Sequence, residues 1–121
     1  MKRMLVRLLL CSVAAVVICA AVLRARQDAP RSDTQKLVLE NAFVRVFEIR
    51  MPPGTFEPRH SHGRGLTIAL SDYENETRTD PNGAFSRGRS KLGDVRWAEP
   101  VTHEARNVGT TEQRVIRIEL K

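Results

Sequence analysis

Three histidines are present, and all fall in two short stretches: His60 and His62 in Gly54-Thr-Phe-Glu-Pro-Arg-His-Ser-His62, and His103 in Pro100-Val-Thr-His-Glu-Ala-Arg-Asn107. Side chains alternate faces along a strand, so His60 and His62 point to the same side of any strand that carries them. Neutral imidazole is the commonest protein ligand for a transition metal. A same-side pair joined by a third imidazole from a second strand makes a three-nitrogen site with coordination positions to spare. His60, His62 and His103 are therefore the expected metal ligands. Other chemistries find no residues. There is no Gly-x-Ser-x-Gly nucleophile elbow, and Cys11 and Cys19 both precede residue 24, which leaves no thiol beside the histidines. The acidic residues form no paired-acid motif that survives strand parity.

The elements that must position these side chains read as strands. Lys36–Glu40 leads through Asn41-Ala42 into 43–50, where Phe43, Phe47 and Ile49 share one face and Glu48 and Arg50 the other. Pro52-Pro53-Gly54 ends that strand. The His-x-His segment follows, then the mostly apolar Gly65–Leu70. Segments 74–79 and 84–91 flank the hairpin turn Asp80-Pro-Asn-Gly83. Leu92-Gly93-Asp94 turns into Val95-Arg-Trp97. Segments 103–108 and 114–120 suggest a last hairpin around Gly109-Thr-Thr-Glu, with Ile116, Ile118 and Leu120 alternating with Arg117 and Glu119. No helical periodicity of useful length follows residue 31. About eight strands at this spacing predict an all-β sandwich or barrel over residues 36–121.

Residues 1–31 are of another kind. Lys2, Arg3 and Arg7 precede an uncharged stretch from Leu8 to Leu23, which suits a signal-peptide core and is short for a membrane span of about 20 residues. Small residues at Cys19-Ala20-Ala21 permit cleavage. A retained hydrophobic helix anchored through residues 4–23 fits as well, since Arg24, Arg26 and Arg31 place basic residues at both ends. Both readings put the domain outside the cytoplasm, secreted or membrane-anchored. The polar, proline-containing stretch 27–35 reads as a linker. Residues 1–31 hold six basic and one acidic residue, so five of the six net positive charges lie there. The domain itself is nearly neutral with no basic-aromatic patch, which excludes nucleic acid as a partner. A domain this small without disulfides is near the lower limit for a self-sufficient core, and a metal or a homodimer would support it.

From Gly54 onward the chain resembles the cupin superfamily of small double-stranded β-helix, or jelly-roll, barrels. The family's first motif runs glycine, five residues, His-x-His, three or four residues, glutamate, six residues and glycine. Gly54 followed by five residues and His60-Ser61-His62 agrees with it. The second motif, glycine, a proline-containing stretch, histidine, three residues and asparagine, is matched by Gly93, Pro100, His103 and Asn107. The resemblance covers residues 36–121 and implies a jelly-roll barrel with His60, His62 and His103 as metal ligands. The departure is the glutamate: Leu66 and Thr67 stand where it belongs.

Without that carboxylate the resemblance implies a neutral three-imidazole site, which favours divalent iron, zinc, copper, nickel or cobalt over manganese. It fits equally a site that holds no metal at all. Glu57 and Glu104 are near in sequence, but strand parity turns both away from the histidines. Arg64, Thr67 and Trp97 are the candidate substrate-binding residues, Arg64 as a bidentate clamp for a carboxylate. Leu66, Ile68, Ile116 and Ile118 are the expected apolar barrel wall. Three readings follow: an exported cupin that binds a metal and a small organic ligand, a metal-dependent dioxygenase or isomerase acting on a small organic acid or thiol, or a structural domain whose histidines serve as a folding staple.

Overall fold

The computed structural model describes residues 33–121, so the expected targeting segment and most of the expected linker lie outside the described residues. Nine strands form in the order β1 (Gln35–Glu40), β2 (Val44–Met51), β3 (Phe56–His62), β4 (Gly65–Ala69), β5 (Tyr73–Arg78), β6 (Ser86–Ser90), β7 (Val95–Ala98), β8 (Val101–Asn107) and β9 (Gln113–Leu120). The described residues contain no helix, as the missing 3.6-residue period predicts. Two sheets face each other. One has the order β1-β2-β9-β4-β7, the other β3-β8-β5-β6, and every pairing is antiparallel. This is the expected jelly-roll sandwich.

The Asp80–Gly83 turn joins β5 to β6 as a hairpin, as its residues require. The expected last hairpin does not form. β8 lies in the four-stranded sheet and β9 in the five-stranded one, so the connection between them crosses the sandwich. Asn107 makes that crossing possible. Its buried amide donates to the carbonyls of Met51 and Thr111, each at 2.8 Å, and its Oδ1 accepts the Gly109 N–H at 3.0 Å. One side chain thus engages three backbone groups around the point where the chain leaves the sheet.

The apolar core is small: Phe47, Ile49, Met51, Ala69, Ala105 and Val115 are its buried members. Phe43 does not join Phe47 and Ile49. It is 78% exposed, because the Asn41 side chain accepts the N–H groups of Phe43 and Val44 and turns the chain just before β2 begins. In β9 the alternation is as expected, but its phase is reversed. Gln113, Val115, Arg117 and Glu119 are buried, while Ile116, Ile118 and Leu120 take the other side. Register fixes this, since Phe47 pairs with Arg117 and Ile49 with Val115 on the inner face.

The expected apolar wall is therefore an outer surface. Leu66 pairs with Ile118 and Ile68 with Ile116, on the side away from the core. Leu39, Val46, Ile118, Leu66 and Trp97 form one unbroken apolar row across all five strands. Its ends are open, with Leu39 48% and Trp97 53% exposed. At Gly65 the chains approach so closely that a Cβ would stand 1.8 Å from the Ile118 carbonyl oxygen. No residue with a side chain fits there, and the tight β4–β9 contact draws the turn after His62 against β9.

Candidate metal centre

β3 and β8 bring the histidines together. His60 pairs directly with His103, and His62 follows on the same face as His60. The ring centroids are 4.7 Å apart for His60–His62 and His60–His103, and 5.3 Å for His62–His103. One nitrogen from each ring lies within 4.8 Å of the others. The convergence predicted from the two separate stretches is present.

Hydrogen bonds set the tautomers. His60 Nδ1 is 2.7 Å from the Pro58 carbonyl, which can only accept, so that nitrogen carries the proton. His62 Nδ1 is 2.9 Å from Glu119 Oε1 and donates to the carboxylate in the same way. In neutral rings both Nε2 atoms are then bare lone pairs, and they face each other at 3.0 Å. Two acceptors at that distance repel unless a cation or an extra proton lies between them. Two imidazole nitrogens, each about 2.1 Å from one ion and at right angles, would stand about 3.0 Å apart. The third nitrogen agrees: His103 Nε2 is buried with no hydrogen-bond partner. A buried polar atom left in that state costs stability unless something outside the chain engages it. The donor set fits a divalent metal.

Burial keeps the rings ready to coordinate. Loss of solvent holds the His62 imidazole below its ordinary value, with the Glu119 hydrogen bond opposing and His60 and Arg117 adding to the depression. His103 is pushed down to about 4, mainly by burial and then by the neighbouring His60 and His62, with Glu57 opposing. A ring must be neutral to give its lone pair to a metal, so this environment favours the ligating form.

Sequence reasoning missed the supporting residues. Glu119 is 5% exposed and fixes His62, the carboxylate–histidine arrangement that orients metal-bound imidazoles. Arg117 is 4% exposed and donates to the Gly63 carbonyl, tying β9 to the turn after the paired histidines. Apolar alternation assigns both to the solvent side, because it makes the isoleucines of β9 its inner face. Glu57 is 3% exposed and its Oε2 lies 3.6 Å from His60 Nε2. Parity places it outward, but the register shifts between Glu57 and His60: Glu57 opposes Ala105 and His60 opposes His103. Pro58 and Arg59 together face the single Glu104, a β-bulge that returns Glu57 to the inner side. A proline suits that position, having no N–H for the ladder. Glu104 itself points outward as expected and pairs with Arg78, Nε to Oε2 2.9 Å.

The candidate substrate residues separate. Thr67 pairs with the inward Arg117 and shares its face. Arg64 lies on the turn between β3 and β4, exposed, its Nε 3.6 Å from Glu99 Oε2. Trp97 is on the outer face beside Leu66 and its Nε1 donates to Glu99 at 2.7 Å. The structure therefore does not bring Trp97 to the histidines, because β7 follows the outward phase of β4.

No family model and no curated protein matches the chain. Solved structures do. A cupin domain from Bordetella pertussis Tohama I is 25% identical with a TM-score of 0.64, over 72% of this chain and 91% of that one. An RmlC-like cupin protein from Desulfovibrio desulfuricans is 25% identical, TM-score 0.51, over 76% and 90%. An RmlC-like cupin with a double-stranded β-helix fold from Methanocaldococcus jannaschii is 13% identical, TM-score 0.57, over 77% and 86%.

Proposed function

We propose, for a chain that belongs to the cupin superfamily, that the domain holds one divalent transition metal on His60, His62 and His103 and binds a small organic ligand beside it. The observation that carries this is the meeting of three imidazoles with one nitrogen from each within 4.8 Å of the others. Two of the Nε2 atoms are stripped of their protons by fixed hydrogen bonds on the other ring nitrogen, and the third is buried without a partner. Imidazole ligands suit iron, zinc, copper, nickel and cobalt. A metal bound there supplies Lewis acidity to whatever ligand fills its open positions.

This chain's own residues define the surroundings. Glu119 holds His62 in one orientation, and the Pro58 carbonyl does the same for His60. Arg117 adds a positive charge felt by both His62 and His103, which favours an anionic ligand such as a small carboxylate. The metal-free full-length chain should take up one equivalent of cobalt(II) or zinc(II), read by elemental analysis and calorimetric titration. Failure to bind either ion would reject the reading. Turnover of a small acid or thiol in the presence of dioxygen would move it from binding to catalysis.

Export and self-association belong to the same proposal. Lys2, Arg3 and Arg7 followed by the uncharged stretch from Leu8 to Leu23 support the first. The continuous apolar row on the five-stranded sheet supports the second, with a second copy of this chain laid over it. Cell fractionation and sedimentation of the chain recovered from the membrane or periplasm test both. A cytoplasmic monomer would refute them.

A further inference from the structure

Glu57 is an acid buried in the inner wall beside the three histidines. It is 3% exposed, yet it lies on the part of β3 that strand alternation assigns to solvent. The bulge at Pro58-Arg59 is what turns it inward, onto the face that carries His60, His62 and His103. Burying a carboxylate is costly unless its oxygens are engaged.

Its two oxygens are used differently. Oε1 accepts from Thr34 Oγ1 and from Gln35 Nε2, the latter at 2.6 Å. These donors come from the start of β1, so a separate segment clamps the carboxylate from behind. Oε2 lies 3.6 Å from His60 Nε2. Two ligand atoms, each about 2.1 Å from one ion, stand about 3.0 Å apart at a right angle and about 3.4 Å apart at the tetrahedral angle. The separation from His60 lies just outside that range, and the three histidines form the tight cluster without Glu57, so its carboxylate must turn further toward His62 and His103 to join them. Glu119 offers the contrast. Its contact is with His62 Nδ1, on the side of the ring away from the other histidines, so it orients a ligand and does not reach the ion.

We infer that Glu57 is a fourth protein ligand of this centre, a carboxylate delivered from upstream of the paired histidines by a β-bulge and fixed by Thr34 and Gln35. This rests on the three-histidine metal reading and extends it. The carboxylate changes the chemistry of the site. It brings one negative charge to a set of neutral imidazoles, offsetting half the charge of a divalent ion. It also adds a hard oxygen donor, so manganese joins the ions the site accepts.

The test uses the metal-free full-length chain and its Glu57→Gln variant, which keeps size and hydrogen-bonding capacity but loses the charge. Both are titrated with cobalt(II), followed by visible absorption, and with manganese(II), followed by the electron paramagnetic resonance of free ion. The wild-type chain should bind one cobalt(II). Glu57→Gln should weaken cobalt(II) binding about 10- to 100-fold, shift the absorption band, and abolish manganese(II) binding. Unchanged affinity and an unchanged band would overturn the role of Glu57 while leaving the histidine site standing. A wild-type chain that binds no cobalt(II) would remove both. Should Glu57→Gln fail to fold, Thr34→Val decides. It removes one clamp on the carboxylate and should lower cobalt(II) affinity several-fold with a shifted band, and no change in either would overturn the inference.

Discussion

Replacing His103 by alanine is expected to lower affinity for zinc(II) or cobalt(II) by at least about a hundredfold, as severely as His60→Ala. The two histidines face each other across the β3–β8 ladder with ring centroids 4.7 Å apart, so both are placed to reach one shared ion. His103 comes from a segment some forty residues downstream of the pair. Its loss therefore reports on convergence and not merely on a local His-x-His pair. The metal-free variant should fold nearly as well as the parent. The substitution leaves a small cavity, but it also deletes a buried nitrogen that has no partner. Calorimetric titration of both variants reads the first effect and a urea melt without metal the second. Metal affinity untouched by His103→Ala would separate this residue from the site.

Metal retention should persist well below the pH at which ordinary histidines protonate. An unperturbed imidazole gains its proton near 6.5, whereas His103 sits at about 4 and His62 is depressed as well. Protons therefore compete weakly for these nitrogens. Bound metal should remain through pH 6 and be lost only as the pH falls toward 4. The sign for the metal-free chain follows from linkage. Between 4 and 6.5 the unfolded chain binds a proton at position 103 that the folded one refuses. Stability is complete above about 6.5 and declines as the pH drops through that window. Stepwise dialysis with metal analysis checks retention, and urea midpoints from pH 7 to pH 4 check stability. Metal fully released by pH 6.5, or flat midpoints, would contradict the buried neutral rings.

Much of this architecture was legible in the sequence. Every strand expected from alternation and turn residues exists, from β1 beside Asn41 to β9 at the end of the chain. The histidine trio was legible because its spacing and its punctuation by glycine and proline are independent of which sheet each strand joins. Phase was not legible. Alternation in Arg114–Leu120 says that two faces differ, but the rule that apolar means inward fails when the interior is built to hold a charged site. Arg117 and Glu119 went inward, and Ile116 and Ile118 were left for the outside. Trp97 and Leu66 share that fate, being register partners on the same outer row. The β8–β9 crossing is not legible either, because its turn residues look the same whether the chain returns to its own sheet or crosses to the other. Glu57 was hidden by a rule that is correct for a regular strand and wrong across an extra residue.

That extra residue makes the length of the Pro58-Arg59 step matter more than its composition. Both side chains are exposed and make little packing, so exchanging them would leave the barrel wall intact. Deleting either one would act like slipping a cog by one tooth. The half of β3 before the step would roll over, carrying Phe56 into the barrel and Glu57 out to water, while the histidines beyond it stayed in place. Descendants of this chain can be expected to vary in spelling at this dipeptide and to keep its count.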